Sequence, residues 1–348
     1  MASSGQRTAL VTGAAGFIGS HLVEALLRQG MRVIGLDNLS TGRRANLKFV
    51  RAAVKREQWN LFTFVDGDIR DAKLCQQTCV GVDSVFHLAA LASVPQSISQ
   101  PELVHDVNTS GFLNVLIAAK DNQVSHFVFA SSSAVYGDHG EGTVSESNAC
   151  APLSPYAATK LANEFYAQAF SASYAMRTIA LRFFNVYGPR QISTGPYASV
   201  IPLWIEALAS DRPATLFGDG TATRSFCYVK DVVQACLRTI GGRREPGFRA
   251  YNVAGQSAIA MADVYPLLRE VVARKVPGAS ELELIKAPAR SGDILHSRAD
   301  TRLFAEVFGA CDETSLKAGL SETVDAFLRD HDFHVGLKSS RKPRIELV

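Results

Sequence analysis

The sequence predicts an α/β protein built on a doubly wound parallel sheet, with a second, smaller α/β domain. Three observations predict it. The first half alternates short apolar runs with stretches of helical spacing. A glycine-rich turn joins the first run to the first helical stretch. The second half keeps the alternation but with longer and less regular connections. Short strands that are apolar throughout are buried on both faces, as in parallel sheets covered by helices.

The elements follow in order along the chain. Thr8 to Thr12 (TALVT) is a strand that ends at glycines. His21 to Gln29 has helical spacing, with Leu22, Ala25 and Leu26 on one face. Arg32 to Leu36, Leu61 to Val65, Ser84 to Leu88 and Phe127 to Ala130 are further strands, and Thr109 to Lys120 is a helix between them. Tyr156 to Ser173 is a helix and Arg177 to Phe184 a strand. A loop rich in Gly, Pro and Ser runs from Gly188 to Ser199. Beyond it lie a helix (Ile201 to Ser210), a strand (Ala214 to Phe217) and a turn at Gly218 to Gly220. No repeat or low-complexity linker separates two beads, so two interlocked domains are expected. Residues 1–184 with about 222–256 form the dinucleotide domain, and about 185–221 with 257–335 form the substrate domain. Residues 336–348 are expected to be a flexible tail.

Composition narrows the function. The 348 residues are 47% hydrophobic and 20% charged, which suits a large core and argues against general disorder. A net charge of +3, with dispersed Lys and Arg, gives no case for nucleic acid. The basic run Lys338, Arg341, Lys342, Arg344 is expected to be a solvated tail. No stretch has the apolar length of a membrane span, and Met1 to Arg7 does not resemble a signal peptide. The six cysteines form no CxxC pair, and Cys75 with Cys79 is too thin a basis for a metal. Reduced thiols, a cytoplasmic location and no metal are expected.

Gly13, Gly16 and Gly19 form GxxGxxG directly between a strand and a helix. In that setting glycines allow a tight turn, close approach of a pyrophosphate, and close helix–strand packing, the Rossmann-type arrangement. The helix N-terminus adds free N–H groups and a positive dipole end. Asp37 closes the second strand about 20 residues on, where a carboxylate binds ribose hydroxyls. It also repels a 2′-phosphate, so NAD is favoured over NADP. Asp68 and Ile69, after the third strand, are candidates to meet the adenine. Tyr156 and Lys160 form YxxxK at the start of a helix, on one face. A nearby ammonium favours phenolate and lowers the tyrosine pKa, making it usable as acid and base. Ser131, Ser132 and Ser133 follow a strand at the carboxyl edge of the sheet, where a hydroxyl meets both substrate oxygen and tyrosine.

GAAGFIGSHL, LDNLSTG, DGDIRD, FHLAA, SSSAVYG, SPYAATK and RFFNVYGP stand in that order. Together they resemble the extended short-chain dehydrogenase/reductase family, from about Thr8 to about Asp330. The resemblance implies Tyr156 as acid/base, Lys160 as its pKa-lowering partner and Ser132 as the aligning hydroxyl. Asn108 takes a supporting position, and Ala89 and Ala90 lie over the cofactor phosphates. Phe17, Ile18, Asn38, Ser40, Gly42 and Phe183, within the same motifs, complete the NAD set.

Dehydratase and decarboxylase branches carry a carboxylate just before VYG, where this chain has Ser132-Ser133-Ala134. Epimerisation needs none. The later segments resemble the UDP-hexose 4-epimerases, most of all the bacterial UDP-N-acetylglucosamine 4-epimerases. That implies a diphosphate-binding Asn185 and a nucleotide clamp of Arg224, Arg290 and Asp293. Val200, Trp204 and Phe217 would line the nucleotide pocket, and Ser93 and Ser133 would touch the sugar. Ser297 falls at a gatekeeper position, where a small residue admits an N-acetyl group at C2. The alternatives are a 4-epimerase of UDP-glucuronic or UDP-N-acetylhexosaminuronic acid, a dehydratase or decarboxylase, or a non-catalytic NAD sensor. The resemblance also implies a homodimer through helices Glu102 to Asp121 and Tyr156 to Ser173; a place in surface polysaccharide or glycan biosynthesis is an expectation that the sequence does not fix.

Overall fold

The computed structural model describes residues 6–192, 199–241, 245–255, 257–289 and 294–339. Its strands, in chain order, are β1 (Thr8–Thr12), β2 (Arg32–Asp37), β3 (Phe62–Asp66), β4 (Ser84–His87), β5 (His126–Ser132), β6 (Thr143–Val144), β7 (Arg177–Phe183), β8 (Asn185–Tyr187), β9 (Ala214–Phe217), β10 (Thr223–Tyr228), β11 (Gly247–Val253), β12 (Ala258–Ala260), β13 (Leu284–Ala287) and β14 (His296–Ala299).

Seven of them make one sheet in the order β11-β7-β5-β4-β1-β2-β3, and every pairing in it is parallel. The order reverses between β1 and β4, and ligands bind at such a switch point, outside the carboxyl ends of the strands. Helices Phe17–Arg28 and Val229–Gly241 seal one face, where Leu22 and Leu26 pack in one core with Val232 and Cys236. On the other face, helix Gly111–Asp121 buries Phe112 and Leu116 against Phe127 and Phe129.

The second lobe is built on β12-β10-β14-β6, with β8 paired to β10. Its core holds Trp204, Ile205, Tyr265, Leu268 and Leu320. The sequence expectation placed 222–256 with the large sheet. Only helix Val229–Gly241 and β11 return there, because β10 pairs in parallel with β8 and β14 instead. Helix Leu316–Ser339 runs through the first residues of the expected tail. Among the described residues no helix is long and apolar enough to cross a membrane, and no His/Cys/Asp/Glu group suits a metal.

Candidate active site

The glycine turn is shaped by contacts that a side chain would destroy. Gly13 has φ +71°, and a Cβ there would lie 2.9 Å from Ala89 N. A Cβ on Gly19 would lie 2.0 Å from Gly13 O. Gly16 is the N-cap of helix Phe17–Arg28 and offers no side-chain cap. The first N–H groups of that helix therefore remain free to receive phosphate. The cradle fits a dinucleotide.

Asp37 ends β2, 7% exposed. Its Oδ2 accepts from Ala15 N at 2.9 Å and its Oδ1 from Leu39 N at 2.8 Å. Burial raises its pKa, and the backbone donors oppose that. A Cβ on Gly42 would sit 2.7 Å from Asp37 Oδ1, so only glycine leaves the carboxylate accessible there. Asn38 Nδ2 donates to Asp68 Oδ2 at 2.8 Å, and Ser40 N donates to Asn38 Oδ1. Arg70, forked on Asp68, holds that carboxyl down to about 2. Gly13, Asp37, Asn38, Ser40, Asp68, Ile69, Ala89 and Ala90 together line one slot of ≈ 40 Å³.

Asn108 sits in a π-helical turn, Asp106–Ser110, at the head of helix Gly111–Asp121. Such bulges recur at functional sites. Its Oδ1 accepts from Leu91 N at 2.8 Å, while its Nδ2 donates to Leu91 O and to Thr159 Oγ1. It thus ties the Ala89–Leu91 loop to the helix that carries Tyr156 and Lys160.

That helix, Pro155–Tyr174, starts at Ser154, whose side chain accepts from Ala157 N, and has Pro155 in its first turn. Lys160 Nζ donates to Ala130 O at 2.8 Å and lies 5.9 Å from the centre of the Tyr156 ring. Burial lowers the Lys160 pKa to about 8. The sequence expectation was a tyrosine pKa lowered by Lys160. Here burial raises it, and the opposing influence is the hydrogen bond with Ser132.

Ser132, Tyr156, Lys160, Ile18, Phe183, Asn185 and Val200 line one cavity of ≈ 400 Å³, with Ala90 on its wall. Ser131, of the serine run at the end of β5, lines it too, as do Gln191 and Phe226, which were not foreseen. Gln191 carries no motif signal, whereas Phe226 follows from Arg224 by strand alternation. Phe17 packs instead toward the second core. In register, Asn185 stands opposite Phe226, and Arg224 opposite Ser297. Arg224 and Phe226 share one face of β10. Arg224 Nη1 donates to Thr223 O and Leu295 O.

Four of the residues expected at the substrate lie outside this cavity lining. Trp204 is 1% exposed, and its Nε1 donates to Thr215 O, so it is a core residue. Ser93 caps helix Val94–Ser99, accepting from Gln96 N. Ser133 opens the 3₁₀ turn Ser133–Tyr136, off the cavity wall. Phe217 ends β9 at 39% exposure, also outside the cavity lining. Arg290 and Asp293 lie outside the described residues.

The model of the NAD dependent epimerase/dehydratase family matches residues 9–254. The chain is 37% identical over 320 residues to a UDP-glucose 4-epimerase of Mycolicibacterium smegmatis, covering 91% of this chain and 97% of that one. It is 34% identical over 339 residues to UDP-glucuronate 4-epimerase 4 of Arabidopsis thaliana, covering 92% and 75%. Among solved structures, a UDP-N-acetylglucosamine 4-epimerase from Methanobrevibacter ruminantium M1, in complex with UDP-N-acetylmuramic acid, matches with a TM-score of 0.85. Identity there is 34%, over 93% of this chain and 99% of that one.

Proposed function

The chain belongs to the NAD-dependent epimerase/dehydratase family and is an NAD-dependent UDP-sugar 4-epimerase, and from that premise we propose that its working pair is UDP-N-acetylglucosamine and UDP-N-acetylgalactosamine. The observation that carries this choice is the small, half-buried Ser297, in register with Arg224 on the strand that also carries the cavity residue Phe226. A tyrosine there would occupy the space a C2 N-acetyl group needs. Plain hexoses fit the same space with less contact.

The uronic-acid reading calls for a cation at C6. Among the described residues lining the cavity the one cation is Lys160, and its ammonium is held by Ala130 O. No described lining residue is a carboxylate, which argues against dehydratase and decarboxylase chemistry. The presence of both Tyr156 and Lys160 argues against a non-catalytic sensor.

Bound NAD supplies a hydride acceptor for C4 and a positively charged ring. Tyr156 takes the O4 proton and later returns it, and Ser132 aligns that oxygen. Asn185 and Arg224 grip the diphosphate. Arg224 suits the task because its planar fork donates two bonds at once. The apolar and hydroxyl walls hold the sugar loosely enough for the ketone to present its other face. Leu103, Phe165, Tyr166 and Tyr174 leave helices Pro101–His105 and Pro155–Tyr174 with exposed apolar surface, which supports the homodimer.

Measuring kcat/KM for UDP-N-acetylglucosamine, UDP-glucose and UDP-glucuronate on one preparation tests the choice of sugar. The acetylated sugar is expected first and the uronate last; a uronate preference would overturn the reading.

A further inference from the structure

The Ser-Tyr-Lys group does not exhaust the polar atoms between β5 and helix Pro155–Tyr174. Four residues beyond Lys160 stands Glu164, with a side chain 4% exposed. Its Oε1 accepts from Ser131 Oγ at 2.5 Å and from Arg182 Nε at 2.9 Å. Its Oε2 accepts from Arg182 Nη2 at 2.6 Å. Arg182 stands on β7, its side chain 7% exposed, with its guanidinium 4.8 Å from the centre of the Tyr136 ring. Tyr136 Oη donates to Asn252 Oδ1 on β11 at 2.6 Å, so the network reaches the edge of the large sheet.

Consecutive residues of the β5 tip are thus tied to successive turns of one helix. Ser132 faces the same cavity as Tyr156, Ala130 O accepts from Lys160, and Ser131 donates to Glu164. Tyr156, Lys160 and Glu164 are spaced by four, so they share a helix face. A buried ion pair is a poor way merely to glue helix to strand, since apolar side chains of similar volume often do it as well or better. A bidentate fork differs from apolar packing in being directional. Its directionality fixes where the strand tip lies along the helix.

We propose that Glu164 is a positioning residue for epimerisation: by holding Ser131 and Arg182 it sets the register of the β5 tip on the helix, and so the placement of Ser132 against Tyr156. The proposal rests on the 4-epimerase reading but not on the identity of the sugar.

The test uses whichever UDP-sugar the wild-type enzyme turns over, so an error in the choice of sugar leaves it intact. Three variants are compared for kcat, KM and thermal stability. Glu164→Gln keeps the shape but sets an amide against the guanidinium. It should lower kcat by about 10- to 100-fold, the scale of a misplaced catalytic group, with KM within about threefold. Ser131→Ala leaves the ion pair intact and should still lower kcat about tenfold at unchanged stability. Glu164→Leu with Arg182→Met should recover stability, yet keep kcat at the level of Glu164→Gln. Recovery of kcat together with stability in the double variant would make the pair purely structural and overturn the proposal. Wild-type kcat in Ser131→Ala would overturn it as well. If Glu164→Gln does not fold, those two variants decide.

Discussion

Gly19→Ala is a one-carbon perturbation whose outcome follows from distances. The added Cβ would sit 2.0 Å from Gly13 O, 2.8 Å from Gly13 C and 3.2 Å from Ala14 Cα, and Cβ atoms essentially never approach below 3.0 Å. The obstacle is backbone, so either the turn or the helix must move by about 1 Å. Overpacking of this kind costs about 1–3 kcal/mol of stability. The effect on NAD is larger in proportion. Gly13 O accepts from Gly16 N at 3.0 Å, so displacing it disturbs the turn that aims the helix N-terminus at phosphate. Losing one charge-assisted hydrogen bond there, about 1.5–3 kcal/mol, weakens binding roughly 10- to 100-fold. Calorimetric titration of NAD into stripped protein, beside a thermal melt, measures both. A lower Tm with the wild-type Kd would refute the reasoning, since it would leave Gly19 as a packing residue with no part in the phosphate cradle.

Tyr156→Phe should lower kcat by at least about 1000-fold while calorimetry finds NAD and UDP binding within a few-fold of wild type; retained turnover would remove Tyr156 from its role. Ser297→Tyr should cut kcat/KM for UDP-N-acetylglucosamine by at least about tenfold more than for UDP-glucose, and equal losses would exclude it as gatekeeper. His21 is held neutral, its pKa pushed down to about 4 from 6.5 by burial and then by the Arg190 charge. Because the folded value lies below the unfolded one, this stability is whole above pH 6.5 and is lost as pH falls toward 4. His21→Gln, which keeps a donor for Pro189 O, should flatten the fall in urea midpoint across that window.

The parts legible in the sequence are those set by local spacing. GxxGxxG between strand and helix, Asp37 at a strand end and YxxxK at a helix start each need only neighbouring residues to be recognised. That the Trp204 indole packs in the second lobe's core, with its N–H on Thr215 O, depends on tertiary packing that local spacing does not show. Ser93 caps a short helix, a part that a serine before such a helix takes naturally and that its motif alone did not reveal. The direction of the Tyr156 shift depends on how deeply the phenol is buried, which spacing along a helix does not decide. Glu164 and Arg182 were invisible for the same reason: they are eighteen residues apart, and they meet only where the β5–β7 pairing sets Arg182 beside Ser131 and the helix lays Glu164 against both. The membership of β10 in the second sheet likewise depends on long-range pairing with β8 and β14.

The most direct test is a proton NMR time course of wild-type protein and Tyr156→Phe with UDP-N-acetylglucosamine and no added reductant. The wild type should convert it to the C4 epimer until the two sugars reach equilibrium, with the variant essentially silent. A 4-keto-6-deoxy product, or equal conversion by the variant, would contradict epimerisation through Ser132, Tyr156 and Lys160.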